Sequence, residues 1–191
     1  MRREQTSRQS RELILRAAAE LFAEKGYRQT TFADVAERSG ISRGSIPWHF
    51  GGKEGLLVAV LEHSVQELLQ PPGGLPRADA DGVEQVLEEA ERFLRLPLSR
   101  LFVTLLIEAV EPDSPIHDRY VAIQDGMRAR IQTWAEGLPL AEGVTPRGLA
   151  VTVLGATIGI HQQWRLTPDR IDLDEAFATL RTMLVGALIA S

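Results

Sequence analysis

Apolar residues recur three and four positions apart along almost the whole chain, and no run alternates apolar with polar. That period is helical, so an all-α fold is predicted. The first helix is expected from about Ser7 to Lys25, with Leu13, Ile14, Ala17, Ala18, Leu21 and Phe22 on one stripe. Gly26 follows, where a left-handed C-terminal residue is expected. Thr31 is placed to cap a short helix over Phe32–Arg38, with Asp34 completing a near capping box. Ser39 and Gly40 stop it, and Ser42 caps a second short helix over Arg43–His49. A helix, a glycine-containing turn and a second short helix make a helix-turn-helix arrangement. Gly51-Gly52 breaks the chain again before a long amphipathic helix, Lys53–Leu69, and Pro71 to about Ala80 reads as a loop.

Five more helices are expected at about 82–96, 97–110, 114–136, 146–166 and 173–190. Pro97, Pro115 and Pro146 sit at or near first helical positions, and Asp172 and Asp174 stand near the start of the last helix. The sum is about nine helices: a three-helix head over residues 1–52 and a larger helical body over residues 53–191.

Composition narrows the chemistry. The 191 residues include no cysteine, which removes disulfides, thiolate catalysis and zinc-finger ligand sets. The polar, basic start lacks the apolar core of a signal peptide, and no apolar run is long enough to span a bilayer. A cytoplasmic protein is expected. The net charge of −5 is unevenly spread. Residues 1–50 hold nine Lys/Arg against six Asp/Glu, net +3, while the rest hold twelve against twenty, net −8. A basic head on an acidic body suits a polyanion at one end.

The segment from Thr30 to Lys53 carries the sharpest signal. It combines a capping Thr31, the pair Val35-Ala36, Ser39-Gly40 at the turn, Ile41-Ser42, Gly44, Ile46, the run Trp48-His49-Phe50, and Lys53. Phe22, Gly26 and Tyr27 precede it. In these residues the chain resembles the TetR family of bacterial regulators, in which repression is the usual mode. The resemblance implies a DNA-binding domain over residues 1–52 and a ligand-binding and dimerisation domain over residues 53–191. It implies contacts to double-stranded DNA by Thr31, Ser42, Arg43, Gly44, Ser45, Trp48, His49 and Lys53. Arg43 can donate twice to guanine O6 and N7. Thr31, Trp48, His49 and Lys53 suit phosphates, which set register without reading sequence. Arg28, Arg2, Arg3 and Arg8 add sequence-independent attraction.

One position departs from the family. Pro47 stands where a tyrosine is usual, and its hydroxyl contact to phosphate is lost. Placed beyond the first turn of a helix starting at Arg43, proline would cost about 3 kcal/mol and kink or shorten it.

The resemblance also implies a homodimer, with the last two helices pairing with their copies. Leu173, Phe177, Leu180 and Leu184 read as a seam, and Gly155 and Gly159 as points of close helix approach. An apolar pocket for a small effector is expected among Phe102, Leu105, Glu108, Tyr120, Gln124, Met127, Trp134 and His161. The expected function is a ligand-responsive repressor that binds a palindromic operator and is released by a small molecule. No catalytic residue, metal ligand or cofactor is assigned. A helical small-molecule binder or adaptor with a degenerate head, because of Pro47, is the alternative. An enzyme is the lesser one, since no nucleophile elbow, phosphate-cradling loop or HExxH pattern occurs.

Overall fold

The computed structural model describes residues 2–69, 74–111, 113, 114 and 116–188, without the side chains of residues 2–6, 65–69, 98, 104, 105, 107 and 108. Among the described residues there are nine α-helices and no strand beyond one isolated bridge. They are α1 (Arg2–Lys25), α2 (Phe32–Ser39), α3 (Ser45–Phe50), α4 (Lys53–Leu69), α5 (Ala80–Arg95), α6 (Arg100–Val110), α7 (His117–Ala135), α8 (Pro146–Leu166) and α9 (Leu173–Gly186). A 3-10 turn over Pro97–Ser99 precedes α6. Helix boundaries fall close to those the apolar spacing predicts, with two instructive exceptions. α1 begins at Arg2 rather than Ser7, and α9 stops at Gly186, after which Leu188 pairs antiparallel with Leu140.

The chain forms two compact units. The first joins Met1–Glu67 to Pro97–Tyr120, the second Leu68–Leu96 to Val121–Ser191.

In the first unit α1 packs on α2 and on the turn before α6. Ile14, Leu15, Ala18 and Phe22 of α1 are buried, as are Val35, Ile46, Leu56, Leu57, Val60 and Leu101. Polar groups lock the rim. Arg38 of α2 donates to Glu24 at 2.9 Å and to Glu20 at 3.3 Å, both on α1. Arg100 donates to the last carbonyls of α1, on Phe22 and Ala23, where a cation meets the negative helix end. Arg119 pairs with Glu62 of α4.

In the second unit α9 packs on α5 and α8. Its core joins Val83, Leu87 and Leu94 with Trp134, Leu149 and Val153. Leu173, Phe177, Leu180 and Leu184 belong to that same core, at 3%, 1%, 6% and 7% exposure. These four side chains, which spacing reads as a dimer seam, are thus enclosed by their own chain. Spacing of three and four marks a buried stripe but does not say whose surface buries it. Gly155 is exposed, Gly159 is half-buried, and a Cβ built on either meets nothing within 4 Å.

Candidate nucleic-acid interface

The helix-turn-helix is built from local rules. Thr31 caps α2 in extended conformation: its hydroxyl accepts from the Asp34 N–H at 3.3 Å, and Asp34 Oδ2 accepts from the Thr31 N–H at 2.7 Å. Lys25 of α1 lies 2.8 Å from the same carboxylate. The Lys25 ammonium, then the Thr31 hydroxyl and amide, hold the Asp34 carboxyl well below the usual carboxylate range. The start of α2 is therefore pinned to the end of α1. Thr30, just before it, is 1% exposed, and its hydroxyl donates to Gly26 O at 2.9 Å. Sequence reasoning missed Thr30; the doubled threonine was the available signal.

The turn needs Gly40, which ends α2 at φ 70° and donates its N–H to Ala36 O at 3.0 Å. Glycine adopts that left-handed conformation without a Cβ clash. Ser42 does not cap α3 by a bond to its backbone. Its hydroxyl instead pairs with that of Ser45 at 2.7 Å, while Ser45 N–H donates to Ser42 O at 2.9 Å. Helical bonding thus starts later than Arg43, and α3 runs from Ser45 with Gly44 as N-cap residue.

That late start corrects the reading of Pro47. It is the third residue of α3, inside the first turn, where backbone N–H groups have no intrahelical acceptor. A proline there breaks no bond. α3 continues to Phe50 and closes with Gly51 N–H on Pro47 O at 2.7 Å.

Ile46 is fully buried and anchors α3. Arg43, Gly44, Pro47 and Trp48 are exposed, and Ser45, His49 and Phe50 are half-buried. Trp48 is 74% exposed, so it is not a core aromatic; its ring stands edge-on to His49 at 4.7 Å. Partial burial, then the nearby Arg11 charge, lowers the His49 pKa. Arg11 of α1 lies 5.3 Å over the Phe50 ring, which adds a cation beside α3 that spacing alone did not flag. Lys53, at the start of α4, donates to Arg28 O at 3.1 Å and sits 4.6 Å from the Tyr27 ring. Thr31, Ser42 and Arg28 are exposed, Lys53 half-buried, and Arg8 exposed on α1, while the side chains of Arg2 and Arg3 lie outside the described residues.

The family model of the bacterial regulatory proteins, tetR family, matches residues 14–60, from within α1 to within α4, and so includes Thr31 to Lys53. An HTH-type transcriptional regulator of Pseudomonas putida, TtgW, is 30% identical over 123 residues, covering 62% of this chain and 89% of its own. The chain belongs to the TetR family. A second Pseudomonas putida regulator, TtgR, is 27% identical over 191 residues, covering 90% of this chain and 88% of its own. A TetR-family regulator from Rhodococcus sp. shares the fold, with a TM-score of 0.77, 22% identity and coverage of 95% and 99%. This TetR-family chain is therefore a transcriptional regulator of a DNA-binding family, not a member of an enzyme family.

The expected effector residues fall into both units. Phe102 and Tyr120 are buried in the first, where the Tyr120 hydroxyl donates to Phe102 O at 2.7 Å. Gln124 and Met127 are half-buried in the second. Trp134 there is 4% exposed and donates its indole N–H to Arg77 O at 2.8 Å. His161 is 2% exposed, and its Nε2 accepts from Arg165 Nε at 3.2 Å. Burial, then the Arg165 charge, pushes its pKa down to about 4. Leu105 and Glu108 have side chains outside the described residues. Among the described residues no group of three metal-ligating side chains gathers, and no helix is long and apolar enough to cross a membrane.

Proposed function

We propose that this TetR-family regulator is a ligand-responsive repressor, acting in the cytoplasm, that binds a palindromic operator as a homodimer and releases it when a small apolar molecule binds. The single observation that carries the reading is α3. Ile46 is its buried anchor, while Arg43, Gly44 and Trp48 are exposed and Arg11 lies over the ring of Phe50, the last residue of α3. An exposed helix start with such donors fits a major groove, and the flanking cations fit phosphates. In this reading residues 1–52 form the DNA-binding domain, and residues 53–191 bind the effector and dimerise.

Two-fold symmetry of the operator requires a second copy. The exposed positions of α8 between Gly148 and Gln163 are Gly148, Val151, Thr152, Gly155, Gln162 and Gln163, none of them charged. On α9, Thr182, Met183 and Gly186 are exposed and uncharged as well. These residues, with Gly155 and Gly159 as points of close approach, replace the enclosed leucines as the proposed dimer face.

The test is a gel shift with the DNA upstream of the chain's own gene at two salt concentrations. A dimer-sized complex is expected. Its affinity should fall about 10³- to 10⁵-fold between 50 and 200 mM salt if six to ten phosphates are contacted. Failure to retard any upstream fragment, together with no enrichment from random duplexes, would refute the reading.

A further inference from the structure

The exposed side of α3 carries more apolar surface than phosphate contact requires. Pro47 and Trp48 are consecutive exposed residues of α3, and Arg43 and Gly44, just before the helix, are exposed as well. Trp48, two residues on from the fully buried Ile46, lies on the other side of the helix. Pro47 offers neither donor nor acceptor on its ring, and it lies beside an indole left 74% exposed. A large exposed apolar group on a soluble protein is informative where an exposed arginine is not.

Gly44 points the same way. Its backbone is ordinary right-handed helix at φ −69° and ψ −22°, and a Cβ built on it meets nothing within 4 Å. Neither conformation nor internal packing calls for glycine there. A partner surface approaching the helix start does, and a close approach also brings the short proline ring within reach of that partner.

We propose that Pro47 is a base-reading residue: its ring packs on the C5-methyl group of a thymine in the groove that α3 enters. The proposal rests on the DNA-binding reading and adds a chemical preference to it. The thymine methyl is the apolar group that the major groove displays, and it is read by apolar contact. Pro47 thus replaces a hydroxyl that would hold phosphate with a ring that reads a base.

The experiment first selects an operator from random duplex DNA, then replaces each thymine in turn by deoxyuridine, which removes the methyl alone. Binding to wild-type protein should weaken three- to tenfold at one or two thymines in each half-site, near an essential guanine. In Pro47→Ala, which keeps a helix-compatible residue, thymine and deoxyuridine should bind equally at those positions. Thermal melting of both proteins confirms that α3 is retained. A flat deoxyuridine scan in the wild type overturns the proposal, as does methyl sensitivity that persists unchanged in Pro47→Ala. If no duplex is enriched at all, the DNA-binding reading falls and takes this assignment with it.

Discussion

α3 and α9 both carry apolar residues at helical spacing, yet they use them in opposite ways. α3 has six residues and one fully buried anchor, Ile46, and leaves Pro47 and Trp48 in solvent. α9 has fourteen residues and encloses Leu173, Phe177, Leu180 and Leu184 in the core of the second unit. A six-residue helix is not stable by itself; it exists because its neighbours hold it in place to present a surface. α9 contributes mass to a core. Substitutions should therefore separate cleanly: stability is lost from α9, and function from α3 and its supports.

The largest effect is expected from Phe177→Ala. Phe177 is 1% exposed, and deleting a buried phenylalanine costs about 3–5 kcal/mol. Chemical denaturation should show that loss, and DNA affinity of the protein still folded should be little changed. A variant of full stability would break the contrast.

The two histidines sharpen it. His161, in the second unit, is held neutral with a pKa of about 4, against 6.5 for an unperturbed imidazole. Between those values the unfolded chain binds more protons than the folded one, so stability rises with pH through this window. At pH 5 the protein should be less stable than at pH 8 by about 2 kcal/mol from this group. His161→Gln should flatten that slope; an unchanged slope would remove His161 as its source. His49 in α3 is shifted in the same direction, by lesser burial and by Arg11, and a phosphate beside it would favour its protonated form.

The same contrast decides what was legible in the sequence. The head is written in residue identities: Thr31, Asp34 and Gly40 each have a local reason, so both the arrangement and the family can be read directly. Besides the start of α1, the start of α3 differs from the expectation, because Ser42 looks like a cap and instead pairs with the Ser45 hydroxyl. That shift of two residues turned Pro47 from a helix breaker into a first-turn residue. The body is written in periodicity. Its helices were found to within a few residues, but periodicity does not name a partner. Leu173, Phe177, Leu180 and Leu184 read as a seam for a second chain, and in the structure α5 and α8 of the same chain pack against α9. His161 reads as a ligand group because a polar side chain on an apolar helix looks available, and Trp134 because it is apolar at helical spacing. The partners that occupy them, Arg165 and Arg77 O, are close in space, and Arg77 is far from Trp134 in sequence.

A smaller effect on stability, but a clear one on function, is expected from Gly55→Ala. A Cβ at Gly55 would lie 1.9 Å from Phe50 O, a backbone atom at the end of α3. Neither side can yield by rotating a side chain, so α3 must shift against α4. A misplacement of about 1 Å in a recognition element is enough to loosen several contacts at once, each good base pairing being worth about 1–3 kcal/mol. DNA affinity should fall at least tenfold, with the second unit melting as before. Wild-type affinity would show that α3 is not positioned through this contact.

The smallest expected effect is at Thr31, and it tests whether a cap in the head serves fold or function. Its hydroxyl and amide both engage Asp34, and Lys25 of α1 completes the group. Thr31→Ala removes the cap at a cost of about 1 kcal/mol. Asp34 keeps Lys25 and the Thr31 amide, so α2 should stay in place. If the hydroxyl also meets a phosphate, DNA binding should weaken beyond what the loss of stability explains, and its salt dependence should become shallower by about one counterion. Thr31→Ser separates the two roles, since serine keeps both the cap and the hydroxyl donor. Equal salt slopes in wild type, Thr31→Ala and Thr31→Ser would assign the threonine to the α1–α2 junction alone. The difference between a head that presents a surface and a body that fills a core would then extend only as far as α3.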